Sequence, residues 1–371
     1  MRFFLSIAIA LGLVGCGGGD STNQPLVSAT AVAQLEAQPF QCIEPKKLPN
    51  AYRATSIDLR RDDIGYTAQG LAITSLDAVK LMIDRAKCVG FDTAIVQTNV
   101  PIDIVTGLIR TDQALPRDFW KVVKYAKSIG MRVGIKLIPV DWTNDRNINT
   151  LMSGLPVPII LSSIRTFEIE IAKQAQLAEA DLFYVGTFQF GIDTHPYQQE
   201  WQSIVDSVRS VYKGKLVYSN CWQCTNIVWP MVDIVAAGGD LSWFTPEYVQ
   251  HLISTYKKPV IVDEIQIMAL PSGYEKFPLW SSVESGKSFS IAPDYNEQQK
   301  RFENFFLTVK RQPAEFSGFV IGEYMPWLQN RNLQEPVTNI EYLFNWYDKL
   351  SHSLYNNIRA QTVIQQHLVN L

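Results

Sequence analysis

After residue 40, two kinds of segment alternate along the chain, and they differ in the spacing of their hydrophobic and polar residues. Short runs that are almost wholly apolar, such as residues 131–140, are typical of strands buried on both faces of a parallel sheet. Between such runs lie amphipathic stretches with a helical period, as in residues 75–89, where Ser75 is the predicted N-cap and Gly90 follows the last turn. The repeated order of strand and helix predicts an α/β protein.

Eight strands and at least seven helices follow from this pattern. The strands are predicted at residues 53–61, 92–100, 131–140, 181–190, 215–220, 234–237 (with 241–244 as a possible second part), 259–267 and 316–324. The helices are predicted at residues 75–89, 116–129, 162–178, 198–212, 246–256, 296–310 and 339–350, with one more in the last twenty residues. Eight alternating units predict a single-domain (β/α)8 TIM barrel. An open doubly wound sheet is the rival, but no glycine-rich phosphate loop follows the first strand.

The N-terminus has the features of a bacterial lipoprotein signal. A short positive region at residues 1–2 precedes an apolar run at residues 3–14, which is too short to span a bilayer. The run ends in Leu-Val-Gly-Cys, so Cys16 is expected to carry the lipid, with an ordinary signal peptide as the alternative. Gly17 in the next position favours the outer membrane. We therefore expect a protein of the bacterial cell envelope whose membrane contact is an N-terminal lipid anchor.

Composition divides the chain into four segments. Residues 1–15 are the predicted signal peptide, and residues 16–45 are the lipidated cysteine with a flexible tether rich in small and polar residues. The barrel is predicted over residues 46–350 and a C-terminal helix over residues 351–371. The net charge of −3 and the lack of a basic cluster argue against a nucleic-acid partner.

The four cysteines other than Cys16 suit an exported protein, because an oxidising compartment permits disulfides. Four cysteines allow three pairings. Cys221 and Cys224 are expected to close a short loop, which leaves Cys42 to pair with Cys88. The alternative for the Cys-Trp-Gln-Cys sequence is a redox motif, but such motifs begin a helix in a thioredoxin-like context, whereas this one follows a strand late in a long α/β chain.

Polar and aromatic residues follow the predicted strand ends, which is where barrel enzymes carry their active sites. The expected catalytic residues are Glu264 and Glu323, at the ends of the seventh and eighth strands. The expected substrate-binding residues are Asp58, Arg60, Lys136, Trp142, Gln189, Asn220, Trp222 and Trp327. No metal or other cofactor is expected, because the chain has no HExxH motif, no P-loop and only four scattered histidines.

Glu264 is the strongest of these candidates. It is the first long charged side chain to follow the apolar run at residues 260–262, so it is either a nucleophile or base, or a structural partner of Arg60 or Lys136. Asp263 precedes it, and strand alternation directs the two side chains to opposite faces, which predicts a salt-bridged or hydrogen-bonded role for Asp263.

Four segments resemble glycoside hydrolase family 113 and related barrel glycosidases over about residues 53–330. They are YAKSIGMRVGIKLIPVDW at residues 125–142, DLFYVGTFQFG at 181–191, WQSIVDSVRSVYKGKLVYSN at 201–220 and KPVIVDEIQI at 258–267. The resemblance implies a retaining, endo-acting hydrolase of the kind that includes mannanases. By position, Glu264 matches the family's nucleophile, and Gly186 with Thr187 match the two residues before its acid/base. At the acid/base position itself this chain has Phe188.

The loss of that carboxyl group leaves two functions open. Glycoside cleavage normally needs an acid on the leaving oxygen as well as a second carboxylate, and phenylalanine supplies no proton. A relocated acid, such as Glu323, Asp193 or Asp58, would preserve hydrolysis of a polysaccharide or oligosaccharide. The alternative is a catalytically inactive barrel lipoprotein that binds an envelope or extracellular glycan.

Overall fold

Eight parallel strands close into a barrel in the computed structural model of the protein. The strands are β1 (Tyr52–Asp58), β2 (Thr93–Ile102), β3 (Arg132–Asp141), β4 (Leu182–Thr187), β5 (Lys215–Cys221), β6 (Ile234–Gly238), β7 (Val260–Ile265) and β8 (Phe316–Ile321), hydrogen-bonded in that order, with β8 returning to β1. The predicted TIM barrel is confirmed, and the open sheet is excluded. The structure describes residues 42–45, 47–59, 76–103, 106–110, 115–141, 157–187, 192–222, 224, 226–238, 241–265, 267, 294–322 and 358–371.

Seven α-helices lie within the described part of the chain. They are α1 (Leu76–Val89), α2 (Phe119–Ser128), α3 (Val157–Leu177), α4 (Gln198–Val211), α5 (Pro246–Tyr256), α6 (Tyr295–Val309) and α7 (Ile358–Val369). The possible strand at residues 241–244 is wrong, because Leu241–Trp243 is a 3₁₀ helix. It leads into α5, whose first turn is capped by the Thr245 side chain and begins with Pro246. The predicted helix at residues 339–350 lies outside the described residues.

Alternate residues of the strands fill the barrel interior, as the two-residue period of a strand requires. The interior cluster consists of Tyr52, Ala54, Ile95, Leu182, Tyr184, Val217, Ile234, Ala236, Ile261 and Val320. Gly134 leaves room for this packing, because a Cβ there would meet the Ile95 side chain at 2.5 Å. Continuing the alternation toward the C-terminal ends of β1, β3 and β5 brings Asp58, Lys136 and Ser219 to the inner face.

Closure between β1 and β8 depends on Gly318. Its φ of +115° lies in a region that L side chains rarely adopt, and it pairs with Tyr52 in the register between the two strands. A Cβ at this position would collide with the backbone oxygen, nitrogen and carbonyl carbon of Tyr52. Glycine is therefore required where the last strand meets the first.

Buried charges at the N-terminal ends of the strands hold α7 against the barrel. Asp92 accepts from Arg53 Nε at 3.1 Å and from Arg132 at 2.7 Å, and a second nitrogen of Arg53 donates to the carbonyl of Leu368 in α7 at 2.9 Å. The His367 ring also stacks on Phe306 of α6, with centroids 4.9 Å apart. The C-terminal helix thus packs on the barrel instead of lying free.

Both expected disulfides are present. Cys42 is bonded to Cys88 at the end of α1, and Cys221 is bonded to Cys224 directly after β5. The first bond ties the beginning of the described chain to the barrel, where Ile43 N also donates to the Cys88 carbonyl at 3.1 Å. No helix in the described residues is both long enough and apolar enough to cross a membrane. Cys16 and the predicted signal and tether up to residue 41 lie outside those residues.

Candidate active site

A backbone irregularity at the end of β7 determines where two carboxylates point. Glu264 has a φ of +53°, which is uncommon for a residue with a side chain, and the register between β7 and β8 shifts between Val262 and Ile265. Strict alternation would send Asp263 and Glu264 to opposite faces. The irregularity removes that alternation, and both carboxylates contact the same ammonium group. The sequence-based expectation for their directions is therefore wrong, whereas the expected salt bridge of Asp263 is confirmed.

That ammonium group belongs to Lys136 of β3. Its Nζ lies 2.9 Å from Asp263 Oδ2 and 2.5 Å from Glu264 Oε1, and the lysine is only 1% exposed. Ser219 of β5 donates to Asp263 Oδ2 at 2.5 Å. The Tyr184 ring of β4 lies beside the lysine, with its centroid 5.4 Å from Nζ. We call Lys136, Asp263, Glu264, Ser219 and Tyr184 the lysine–carboxylate cluster.

Electrostatics within the cluster favour a charged lysine. Burial by itself lowers the pKa of Lys136, but the adjacent Asp263 and Glu264 outweigh it, so that this pKa is raised. Burial raises the pKa of Glu264, as do the charges of Asp263 and Asp58, while Lys136 opposes them. Burial also holds the pKa of Tyr184 well above its ordinary value, with Asp263 and Glu264 adding to the effect, so this phenol is neutral.

Glu264 is the member of the cluster that reaches the barrel mouth. Its side chain is 30% exposed, whereas the side chains of Lys136 and Asp263 are almost completely buried. One carboxylate oxygen is held by the ammonium of Lys136, and the backbone N–H of Glu264 donates to Asp263 Oδ1 at 3.0 Å. A carboxylate fixed in this way is suited to attack a substrate carbon or to accept a proton.

Asp58 provides another carboxylate at the same end of the barrel. It is the last residue of β1, is half-buried, and shares the inward side of the strand with Tyr52 and Ala54. Its negative charge contributes to the raised pKa of Glu264. Only β8 separates β1 from β7, so the two strands lie roughly 10 Å apart at the usual spacing.

Asn220 and Asp193 form a separate buried network. Asn220 follows Ser219 and therefore points away from the barrel interior, and its amide nitrogen donates to Asp193 Oδ2 at 2.6 Å. The same oxygen accepts from Tyr218 at 3.1 Å and from Asn226 at 2.7 Å. The network fastens the loop after β4 to the loop after β5. Neither residue belongs to the lysine–carboxylate cluster, although sequence reasoning had considered Asn220 for substrate and Asp193 for the missing acid.

Trp222 is buried beside the Cys221–Cys224 loop. Its ring packs against Phe244 and against Tyr248, with centroids 6.0 and 5.9 Å away, and its indole N–H finds no acceptor among the described residues. The remaining expected site residues lie outside the described residues: Arg60, Trp142, Gln189, Glu323 and Trp327, together with Phe188. His195 is exposed within a short 3₁₀ helix.

Sequence reasoning missed two members of the cluster, Tyr184 and Ser219. Their inward direction follows from alternation once Leu182 and Val217 are known to face the interior, but the sequence does not show that they meet the lysine of β3. Among the described residues, no group of three or more His, Cys, Asp or Glu side chains is arranged to hold a metal ion.

Comparison with known proteins identifies a family whose sequences and structures this chain resembles. Residues 108–349, more than half of the chain, match the sequence profile of Glycoside Hydrolase Family 113. A solved family 113 β-1,4-mannanase has 15% sequence identity and a TM-score of 0.64, with 86% of this chain and 99% of that chain covered. The β-mannanase AaManA from Alicyclobacillus acidocaldarius, in complex with ManMIm, has 15% identity and a TM-score of 0.60, with coverages of 86% and 98%.

A more distant structural neighbour shares the barrel. The glycoside hydrolase family 5 mannosidase from Rhizomucor miehei has 10% identity and a TM-score of 0.51, with 87% of this chain and 93% of that chain covered. At these identities the structural similarity shows the fold alone. A search of curated protein sequences finds no significant match.

Proposed function

The chain belongs to glycoside hydrolase family 113, and from this premise we propose that it hydrolyses a mannan-type polysaccharide with Glu264 as nucleophile or base. The family assignment indicates a glycoside hydrolase, and the similar solved structures include β-mannanases. We also propose that the protein acts in the bacterial cell envelope, attached to the outer membrane by a lipid on Cys16. Support for the anchor comes from the N-terminal sequence.

The observation that carries the proposal is the position of Glu264. It stands at the C-terminal end of β7, where barrel enzymes place catalytic groups, and its positive φ directs it to the charged end of Lys136. Both types of glycoside cleavage need an ionised carboxylate, either as the nucleophile at the anomeric carbon or as the base that activates the attacking water. Lys136 and Asp263 act as positioning residues, because they hold Glu264 without reaching the barrel mouth themselves.

The proton for the leaving group requires a second carboxyl group, since Phe188 cannot supply it. Asp58 is the described residue best placed for this role, because it faces the same opening from β1 and influences the pKa of Glu264. The distance between the two carboxyl groups would decide the stereochemical outcome, because it is about 6.5–9.5 Å in inverting enzymes and about 5–5.5 Å in retaining ones. Glu323, outside the described residues, is the other candidate.

A non-catalytic glycan-binding function is the second candidate. The observation in its favour is the sequence itself, which has Phe188 where the family's acid/base stands. In that case Glu264 would be retained as the partner of Lys136, and the opening of the barrel would hold a glycan without cutting it.

The experiment compares reducing-end release from mannans and other β-glycans by wild type, Glu264→Gln and Glu179→Gln. Glu179 is a matched control because it also has a φ of +53° but is exposed in the turn between α3 and β4, at the opposite end of the barrel. We expect release by wild type and Glu179→Gln and at least a thousandfold less by Glu264→Gln, an order typical of the loss of a catalytic carboxylate.

Two further observations separate the alternatives. The configuration of the first product, followed by NMR, distinguishes a pair of carboxyl groups that inverts the anomeric centre from a pair that retains it. Binding of a mannan by wild type without any release of reducing ends would favour the non-catalytic function. Equal release by wild type and Glu264→Gln would show that Glu264 has no part in the chemistry.

A further inference from the structure

The loop after β6 exposes a tryptophan to solvent. Trp243 is 39% exposed, which is unusual for a residue type that proteins tend to bury. It is the one aromatic residue among the exposed large hydrophobic residues that the structure describes. The others are aliphatic: Leu108, Ile159, Leu177, Leu307 and Val369.

The exposed ring is held in place by its surroundings. Trp243 ends the 3₁₀ helix that begins at Leu241, and its carbonyl accepts from Thr245 N at 2.8 Å. The Thr245 hydroxyl in turn accepts from Tyr248 N at 3.2 Å, which caps α5. The Tyr248 ring meets the indole edge-to-face, with centroids 5.6 Å apart and an interplanar angle of 71°. The indole is therefore supported by the first turn of a helix.

A short series of contacts connects this support to the candidate active site. The Tyr248 hydroxyl donates to the Trp222 carbonyl, and Trp222 N donates to the carbonyl of Gly238 at 3.3 Å. Gly238 is the last residue of β6 and stands in register with Asp263, the residue before Glu264. Trp243 thus belongs to the loop of the strand adjacent to the one that carries Glu264, on the same face of the barrel.

We propose that Trp243 is a sugar-binding platform on which a pyranose ring of the glycan stacks. The indole face offers a flat apolar surface that matches the C–H face of a pyranose, and the fixed ring loses little conformational entropy on binding. The role deepens the proposed function, since it names a subsite on the β6 side of Glu264. Packing against Tyr248 does not by itself explain why Trp243 is exposed. Trp222 of the neighbouring loop contacts the same tyrosine and is only 2% exposed.

The test measures glycan binding separately from hydrolysis. Glu264→Gln is the parent, because it allows binding without turnover, and Trp243→Ala and Trp243→Phe are made in that background. Leu177→Ala is the matched control, since Leu177 is 77% exposed at the end of α3, on the opposite face. Binding to soluble galactomannan is measured by affinity gel electrophoresis, and binding to manno-oligosaccharides by calorimetry. Thermal denaturation is recorded for each variant to verify that it is folded.

We expect Trp243→Ala to bind about tenfold more weakly than the parent, from the apolar surface that a sugar covers. Trp243→Phe should keep most of the affinity, and Leu177→Ala all of it. Equal binding by Trp243→Ala and the parent would overturn the platform and leave the proposed hydrolysis intact. A parent that binds no glycan in either assay would also overturn the platform, whereas the proposed hydrolysis is decided by reducing-end release from the wild type. Weaker binding by Trp243→Ala in a protein that never releases reducing ends would support the platform and reject the hydrolase.

Discussion

Glu168 is expected to make the protein less stable as the pH rises, and Glu168→Gln to remove this effect. The residue lies on the buried face of α3, where Ile164, Ile171 and Ala172 are its helical neighbours, and it is only 3% exposed. Its Oε2 has no hydrogen-bond partner among the described residues. Burial raises the pKa of Glu168 from 4.5 to about 8, because ionisation would place an uncompensated charge in an apolar region.

The sign and size of the effect follow from proton linkage. The unfolded chain releases the Glu168 proton near the ordinary pKa, whereas the folded protein holds it until about pH 8. Stability therefore falls as the pH rises through this window and levels off above it. At about 1.4 kcal/mol per pKa unit, the total loss in the free energy of unfolding is on the order of 5 kcal/mol. About 4 kcal/mol of this loss occurs between about pH 5 and pH 8.5.

The measurement is urea-induced unfolding of wild type and Glu168→Gln at about pH 5 and about pH 8.5, followed by tryptophan fluorescence. Relative to wild type, Glu168→Gln should gain on the order of 4 kcal/mol between the two conditions. Glu170→Gln is the control on the same helix, because the Glu170 side chain is 60% exposed and contacts Lys173 and Gln174 at the surface, both at 3.4 Å. The reasoning would be refuted if the unfolding free energies of wild type and Glu168→Gln changed by the same amount between the two pH values, to within about 1 kcal/mol. Hydrolysis assays are best run below neutral pH for the same reason.

Two other substitutions test the barrel and its site. Lys136→Met should destabilise the fold by about 3–5 kcal/mol in thermal or urea denaturation, because it leaves the buried carboxylate of Asp263 and the partly exposed one of Glu264 without their cation. It should also raise the pKa of Glu264 and move the acid limb of the pH–activity profile to higher pH, and an unmoved limb would show that Lys136 has only a structural role. Gly318→Ala should prevent closure of β8 on β1, because its Cβ would overlap the Tyr52 backbone. The expected readout is a loss of soluble folded protein, and a cooperative transition at the wild-type temperature would contradict it.

The order of strands and helices was predictable because the burial of each element determines the spacing of its apolar residues. A strand covered on both faces is almost wholly apolar, as residues 131–140 show, and a helix covered on one face repeats its apolar positions every three to four residues. Most predicted boundaries agree with the structure to within a few residues, and α5 agrees at both ends, at Pro246 and Tyr256. The proximity of Cys221 to Cys224 likewise made their disulfide predictable.

The candidate site was predictable only in part. A carboxylate at the end of β7 was expected from its position after an apolar run, and Glu264 stands there. The resemblance of short motifs to family 113 added the expected chemistry and the prediction that Phe188 stands at the acid/base position. Alternation failed for Glu264, whose positive φ and shifted register come from the way β7 pairs with β8 and cannot be predicted from the sequence of one strand. Asn220 is a comparable case, since its partner Asp193 comes from a different loop.

The sequence by itself determined the class of fold, the strand that carries Glu264 and the Cys221–Cys224 pair, because periodicity, strand position and short spacing are local properties. Only the tertiary structure decided that Lys136 joins Asp263 and Glu264, since their strands are far apart in the chain and meet only across the closed barrel. It also decided that Trp243, in the loop after β6, is exposed while Trp222 is buried. Two tryptophans have the same intrinsic preference for burial, and the packing of the neighbouring elements determines which one reaches solvent.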